Sequence, residues 1–287
     1  MRGWIVMKLK RLVAFSDEVG NALDKYKSKL VVEKYDTTEE LKARLDEDAE
    51  IGDETLLVAG SQEAIAFGVR YGLAVMGYQK SQGNGAWLSG VDMVVEEFEE
   101  VDYNFLEKVY QRWHNIPWTI AVTPRCIIRE ISLTDMDALF ELYSDKALLE
   151  FSEELFSYEE ETKYQEAYIN NMYRFFGYGM WLVFSKETGE LIGRAGLEHR
   201  EYHGETELEL GYMIASKYQG QGIATEVCQA ILRIAKNMTD FPRINCLIDE
   251  CNYPSIALAK KLGFTYLEEL NCEEKKMHRY FLSLFDN

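Results

Sequence analysis

Over residues 11–114, short apolar runs alternate with amphipathic stretches. The runs at 11–15, 29–33, 55–59, 73–77 and 91–95 predict strands, and the stretches at 17–27, 37–46, 62–71 and 103–114 predict helices. Strands alternating with helices imply a parallel sheet covered on its faces by helices. A weak repeat supports this. LVAFSDEVGNALDKYKSKLVV aligns with LVAGSQEAIAFGVRYGLAVM at an offset of 45, matching Ser16 to Ser61, Glu18 to Glu63 and Tyr26 to Tyr71. It describes a strand, loop, helix and strand used twice. The stretch 81–86 is rich in turn residues, and 115–124, with Pro117 and Pro124, reads as a link.

Beyond the link the texture changes. Strands are predicted at 126–131, 180–184, 191–198, 206–214, 243–249, 265–270 and 277–284, and helices at 134–143, 158–176, 224–237 and 254–262. Thr134 with Asp137 reads as the start of the first of these helices. Gly189 sits where a hairpin needs a turn. The expected fold is thus α/β in two domains. Residues 1–124 form a Rossmann-like parallel sheet, and residues 125–287 a mixed α+β sheet.

Composition narrows the function. A net charge of −18, with both halves acidic, argues against nucleic acid as a partner, which needs a basic face. No apolar run reaches about 18 residues, so no membrane span is expected. The opening MRGWIVMKLKRLVAF reads as the approach to a first strand, not a secretion signal. Five cysteines without a C-x-x-C, and only four histidines, suggest reduced thiols in a cytoplasmic protein and no metal site.

One stretch carries chemistry. MIASKYQGQGIATEVCQAIL, residues 213–232, passes from strand to helix through Gln219, Gly220, Gln221, Gly222, Ile223, Ala224 and Thr225. A helix start presents unpaired N–H groups and partial positive charge, and glycines let an anion approach. Phosphate is the usual occupant. A plain strand–helix turn is the alternative. Neither the P-loop pattern nor G-x-G-x-x-G fits, because no Lys-Ser or Lys-Thr follows Gly222 and position 225 is threonine.

The run Gln219 to Ala224 resembles the acyl-CoA pyrophosphate loop of the GNAT acetyltransferases, Q/R-x-x-G-x-G/A. About thirty residues later Asn252-Tyr253-Pro254-Ser255, followed by Leu262-Gly263-Phe264, resembles the family's second motif, N-x-x-S, a helix and L-G-F. The element order from Cys126 to Leu284 is similar too, so the resemblance covers about 160 residues. The nearest-looking branch is the RimJ/RimL-like group of ribosomal-protein N-terminal acetyltransferases.

The resemblance implies acetyl-CoA as co-substrate and an amine as acceptor, either a protein N-terminus or a small molecule. Backbone N–H groups of residues 221–225 would hold the pyrophosphate. Met213 and Ile214 would pair by backbone with the pantetheine arm, and Asn252 would meet it from the far side. Period-2 alternation puts Glu205, Glu207 and Glu209 on one face of their strand. Glu209 matches the family's carboxylate base, with Glu207 as second choice, while Glu198 and His199 could also face the acceptor. The family's tyrosine acid falls on Ala259, leaving Ser255 as the substitute, or else as a helix-capping serine. A homodimer is allowed for.

The first half, through Val58 to Ala64 and Asp92 to Phe98, resembles a haloacid-dehalogenase-like (HAD-like) domain without its D-x-D, since the corresponding place reads Phe15-Ser16-Asp17-Glu18. A non-catalytic module is expected there. Two other readings stand beside acetyl transfer. One is an acyl-CoA-binding sensor without turnover, and the other a hydrolase acting through the first half.

Overall fold

The computed structural model describes residues 8–48, 50–80, 87–272 and 275–285; the first seven residues and the turn-rich stretch 81–86 lie outside the described residues. The chain divides into two compact units, 1–116 and 117–287. The boundary falls before the expected 124. The presumed link contains a strand, Thr119–Val122, that pairs with Cys126–Arg129 and so belongs to the second unit. Pro117 and Pro124 flank that strand. It is an edge strand, where neighbouring prolines break no ladder.

The first unit contains β1 (Arg11–Ala14), α1 (Asp17–Leu23), β2 (Val31–Lys34), α2 (Thr38–Glu47), α3 (Glu50–Asp53), β3 (Thr55–Ala59), α4 (Gln62–Arg70), β4 (Ala74–Tyr78), β5 (Val94–Val95) and α5 (Tyr103–Trp113). All its strand pairs are parallel, in the order β2-β1-β3-β4-β5. Strand residues alternate between two cores. Leu12, Leu56, Val58 and Met76 pack with Leu23 and Leu106 of α1 and α5. Val13, Leu57, Ala59 and Val75 pack with Leu41 and Ile65 of α2 and α4. The expected parallel sheet between helical layers is therefore present. Its order is that of flavodoxin-type sheets, not the 3-2-1-4-5-6 of dinucleotide-binding domains, because β3 enters on the far side of β1 from β2. The haloacid-dehalogenase likeness rests on sequence alone. The internal repeat has a physical meaning: Ser16 and Ser61 are both helix N-caps, each accepting from the N–H three residues on, at 3.2 Å.

The second unit contains β6 (Thr119–Val122), β7 (Cys126–Arg129), α6 (Met136–Tyr143), α7 (Tyr158–Tyr168), α8 (Arg174–Phe176), β8 (Met180–Ser185), β9 (Leu191–Tyr202), β10 (Glu205–Ile214), α9 (Ile223–Met238), β11 (Arg243–Asp249), α10 (Tyr253–Lys261), β12 (Thr265–Cys272) and β13 (Lys275–Ser283). Two helices differ from expectation. The chain before α6 is capped by Ser132, whose N–H donates to Asp135 at 2.8 Å, because Arg129 already fixes Asp135 through two hydrogen bonds. The long helix 158–176 is α7 and α8 joined by a π-turn over Ile169–Tyr173. That wider turn buries both Tyr168 and Tyr173, and their hydroxyls hold the N–H and C=O of Met180 at 2.7 and 2.5 Å.

The eight strands run β12-β13-β11-β10-β9-β8-β7-β6, and every pair is antiparallel except β10–β11. That parallel pair meets only at Leu208–Ile244 and Glu209–Asn245. Beyond it, β10 continues to Ile214 paired with β9, and β11 to Asp249 paired with β13. Each strand follows its own antiparallel partner, so the sheet opens between them; beyond Glu209 β10 has no strand partner on that edge among the described residues, and only the Cys246 thiol reaches it, donating to the Leu210 carbonyl at 3.6 Å.

The closed end is clamped by Glu207. It accepts two hydrogen bonds from Arg243, at 2.6 and 2.5 Å, and one from Asn245 at 2.8 Å, and it pairs with the buried Arg279 at 2.9 Å. The Arg243 hydrogen bonds hold its carboxyl down at a pKa of about 2. A lowered carboxyl pKa adds stability above the ordinary 4.5, and that stability is lost as pH falls through about 2. Glu207→Ala leaves Arg279 buried and half-paired. It is expected to destabilise this unit by about 3 kcal/mol, lowering the melting temperature by roughly 6–12 °C. Thermal unfolding at pH 7 and pH 3 checks this: the deficit should shrink at the lower pH.

Candidate active site

The glycine loop begins where β10 ends. The carbonyl of Ile214 accepts from the Gln219 side chain at 2.8 Å, and Asp145 accepts from the Ser216 N–H at 2.9 Å. Gly220 and Gly222 have φ of +70° and +77°, which only glycine adopts readily. Arg125 ties the loop to the helix: its N–H and Nε donate to Glu226 at 2.9 and 2.7 Å, and Nη1 donates to the Gln221 carbonyl at 2.7 Å. The first helical hydrogen bond is Glu226 N–H to Gly222 at 3.1 Å. Among the described residues the five N–H groups of 221–225 reach no acceptor. Gly220, Gln221 and Gly222 are exposed. The loop is therefore a row of backbone donors at the positive end of a 16-residue helix, suited to an oxyanion.

Opposite this open edge of β10 stands the start of α10. Asn252 is its N-cap, accepting from the Ser255 N–H at 3.2 Å. Its Nδ2 has no partner among the described residues. Ser255 is thus not the cap, and its hydroxyl makes no hydrogen bond there. Tyr212 reaches from β10 toward this turn and donates to the Ser255 carbonyl at 3.4 Å. Met213 is half-buried and Ile214 buried at the end of the open stretch. Ala259, at the position of the family's tyrosine, is buried.

Glu209 lies on the other face of β10, with Glu207. The two carboxylates differ in surroundings. Glu207 is committed to its arginines and is removed as a candidate base. Glu209 accepts from the Tyr202 hydroxyl and pairs with Arg200 Nε at 2.8 Å. Burial, with the Glu198 carboxylate as a further cause, holds its pKa above the ordinary value. Glu198 stands directly opposite it in register and accepts from Tyr168 at 3.0 Å. His199 is turned to Tyr178 at 2.8 Å, and burial lowers its pKa, keeping the ring neutral.

Sequence reasoning missed the tyrosines that hold the two glutamates. The signal was present in the β9–β10 turn. His203 and Gly204 both have positive φ, as a two-residue hairpin turn requires. Counting back from that turn places Glu198 against Glu209. Among the described residues, one group could hold a metal, Glu250, Glu269 and His278; it is largely exposed, and Lys276 already pairs with Glu269 at 3.2 Å. No described helix is long and apolar enough to cross a membrane.

The acetyltransferase (GNAT) domain family profile matches residues 125–265. The chain is 32% identical over 105 residues to the uncharacterized protein YkkB of Bacillus subtilis, covering 37% of this chain and 61% of that protein, under two thirds of its length. It is 30% identical over 146 residues to the uncharacterized N-acetyltransferase YnaD of Bacillus subtilis, covering 49% of this chain and 79% of that one. Among solved structures, the RimL ribosomal L7/L12 alpha-N-protein acetyltransferase in complex with coenzyme A superposes with a TM-score of 0.50 at 24% identity, over 58% of this chain and 98% of that one. That last likeness is one of fold.

Proposed function

The chain belongs to the GNAT acetyltransferase family, and from that premise we propose that its second unit transfers acetyl from acetyl-CoA to a primary amine by direct attack in a ternary complex. The observation that carries this reading is the row of five N–H groups at 221–225 without an acceptor among the described residues, beside a strand whose edge has no strand partner there. The loop would take the pyrophosphate, and the backbone of Met213 and Ile214 the pantetheine amides. Asn252 Nδ2 would donate to the arm from α10.

An amine must be neutral to attack, and its ordinary pKa is near 10. Glu209, its carboxyl raised by burial, takes the proton directly or through water. The nitrogen then bonds to the thioester carbon and the carbon–sulfur bond breaks. A backbone N–H of the open stretch of β10 stabilises the oxyanion. The thiolate takes a proton from the Ser255 hydroxyl, the free hydroxyl at the start of α10, and Ser255 regains one through water from the nitrogen, which loses its second proton as the amide forms. Glu209 and Ser255 come from different elements, and Tyr212, whose side chain meets the Ser255 turn, lies on the opposite strand face from Glu209.

The first unit reads as a non-catalytic module. Just after β1, where a haloacid-dehalogenase-like enzyme carries its aspartates, Ser16 caps α1 and Glu18, in the first turn of α1, pairs with Lys80 at 2.6 Å. A second reading of the second unit is a sensor that binds acetyl-CoA without turnover, favoured by the buried Ala259 in place of a tyrosine acid. Calorimetric titration with acetyl-CoA, followed by CoA release over a panel of amines, separates the two. Micromolar binding with amine-dependent release is expected. Binding without release on any amine supports the sensor, and no binding removes both.

A further inference from the structure

The proposed chemistry leaves a buried polar layer between α7 and the sheet without a use. α7 turns Glu161, Gln165 and Tyr168 inward, at i, i+4 and i+7, and they are 2%, 0% and 8% exposed. A core-facing helix stripe is ordinarily apolar. Gln165 donates to Glu161 at 2.7 Å, and its own Oε1 has no partner. On β9, Arg194 is 9% exposed. Its Nη1 donates to the Tyr143 hydroxyl at 3.0 Å, and its Nε has no partner. Among the described residues no carboxylate lies within ion-pair reach of it. The other buried arginines of this unit are paired, Arg129 with Asp135 and Arg279 with Glu207 and Glu268. A buried cation without a counter-charge is costly, and a fold that keeps one has a reason to.

Position supplies the reason. Arg194 stands in register with Met213, near the end of the open stretch of β10. Four residues along the same face of β9, about 13 Å at strand rise, stand Glu198 and its opposite number Glu209. Half-buried Tyr143 and exposed Tyr164 border the region, and Tyr164 lies close enough to Arg194, Glu198 and Glu161 for their charges to act on its hydroxyl. One strand face therefore offers an unpaired guanidinium at one end and two carboxylates at the other.

We propose that the acceptor is a small amine bearing a carboxylate several carbons away, an ω-amino acid in chemical class, whose carboxylate seats on Arg194 and the Tyr143 hydroxyl while its amine faces Glu209. This rests on the acetyl-transfer reading. A guanidinium fork matches a carboxylate with two parallel hydrogen bonds, so the unpartnered Nε gains a partner on binding. The reaction is unchanged: the carbon–nitrogen bond forms, the carbon–sulfur bond breaks, and the amine proton leaves through Glu209. Only the choice of acceptor is set here.

The test compares matched acceptors. Initial rates of CoA release are measured with unbranched ω-amino acids of increasing chain length and with the carboxamide of each, in the wild type, Arg194→Gln, Arg194→Lys and Tyr143→Phe. The best acid should exceed its amide at least about tenfold in kcat/KM, mainly through KM. Arg194→Gln should bring the acid down to the amide's level with the Kd for acetyl-CoA kept, Arg194→Lys should restore part of the preference, and Tyr143→Phe should weaken it. Should the arginine variants fail to fold, the acid-to-amide ratio of the wild type still decides. Amides serving as well as acids, or both losing equally in Arg194→Gln, would overturn the proposal. So would acetyl-CoA binding with turnover only on amines lacking a carboxylate, which leaves acetyl transfer standing. A wild type that does not bind acetyl-CoA brings down the transfer reading and this proposal together.

Discussion

Glu209→Gln is expected to lower kcat by roughly 10²–10³-fold and to abolish the break that this carboxyl sets in the pH profile. The sign follows from the surroundings of the carboxyl. Burial raises its pKa, the opposite Glu198 adds to the effect, and Arg200 and the Tyr202 hydroxyl counter only part of it. A base with a raised pKa is proton-loaded at low pH, so wild-type kcat/KM should climb more steeply with pH below that raised value than above it. Glutamine keeps the shape and can still meet Tyr202, but it takes no proton, so the break at the raised pKa should vanish, leaving only the steady rise set by the neutral fraction of the amine, and the Kd for acetyl-CoA should stay. Initial rates from pH 5 to 9 on both proteins are the measurement. A variant with the wild-type rate and the wild-type break would take Glu209 out of the mechanism.

Why this carboxylate and not its neighbour was legible only in part. Alternation along TELELGY correctly placed Glu207 and Glu209 on one strand face, and it could go no further, because a strand does not reveal what faces it. The decision is made by Arg243 on β11 and Arg279 on β13, both distant in sequence, which close on Glu207 and hold it ionised. Glu209, two residues on, meets a tyrosine and a single arginine instead and stays poised. The parts that were legible are those whose cause is local. The glycines mark the turn from strand to helix and Pro254 a helix start, whereas the capping roles of Ser16, Ser61 and Asn252 emerge only from their hydrogen bonds. The strand order of the first unit, the pairing of Thr119–Val122 and the lack, among the described residues, of a counter-charge for Arg194 depend on contacts across tens of residues, and no local pattern carries them.

The loop itself gives the other large effect. Gly222→Val is expected to weaken acetyl-CoA binding by about 10–100-fold. A Cβ at this position would meet nothing nearer than Arg125 at 3.7 Å, so crowding is not the cause. The cause is φ of +77°, where a β-branched residue is strained by about 1–3 kcal/mol. The chain relieves that strain by rotating the peptides on either side, and those peptides carry the N–H groups proposed to hold the pyrophosphate. At about 1.4 kcal/mol per tenfold, the strain converts into the stated loss. Gly204 provides the control. It has φ of +85°, nothing within 4 Å of where a Cβ would stand, and a place in the hairpin at the far end of β10 from the loop. Gly204→Val carries the same kind of backbone strain without touching the donors. Calorimetry on the two variants, beside their melting curves, separates the effects: both should melt earlier, and only Gly222→Val should lose affinity. Equal losses of affinity would make the effect one of general destabilisation, and would leave the row of donors at 221–225 with no special claim on a phosphate.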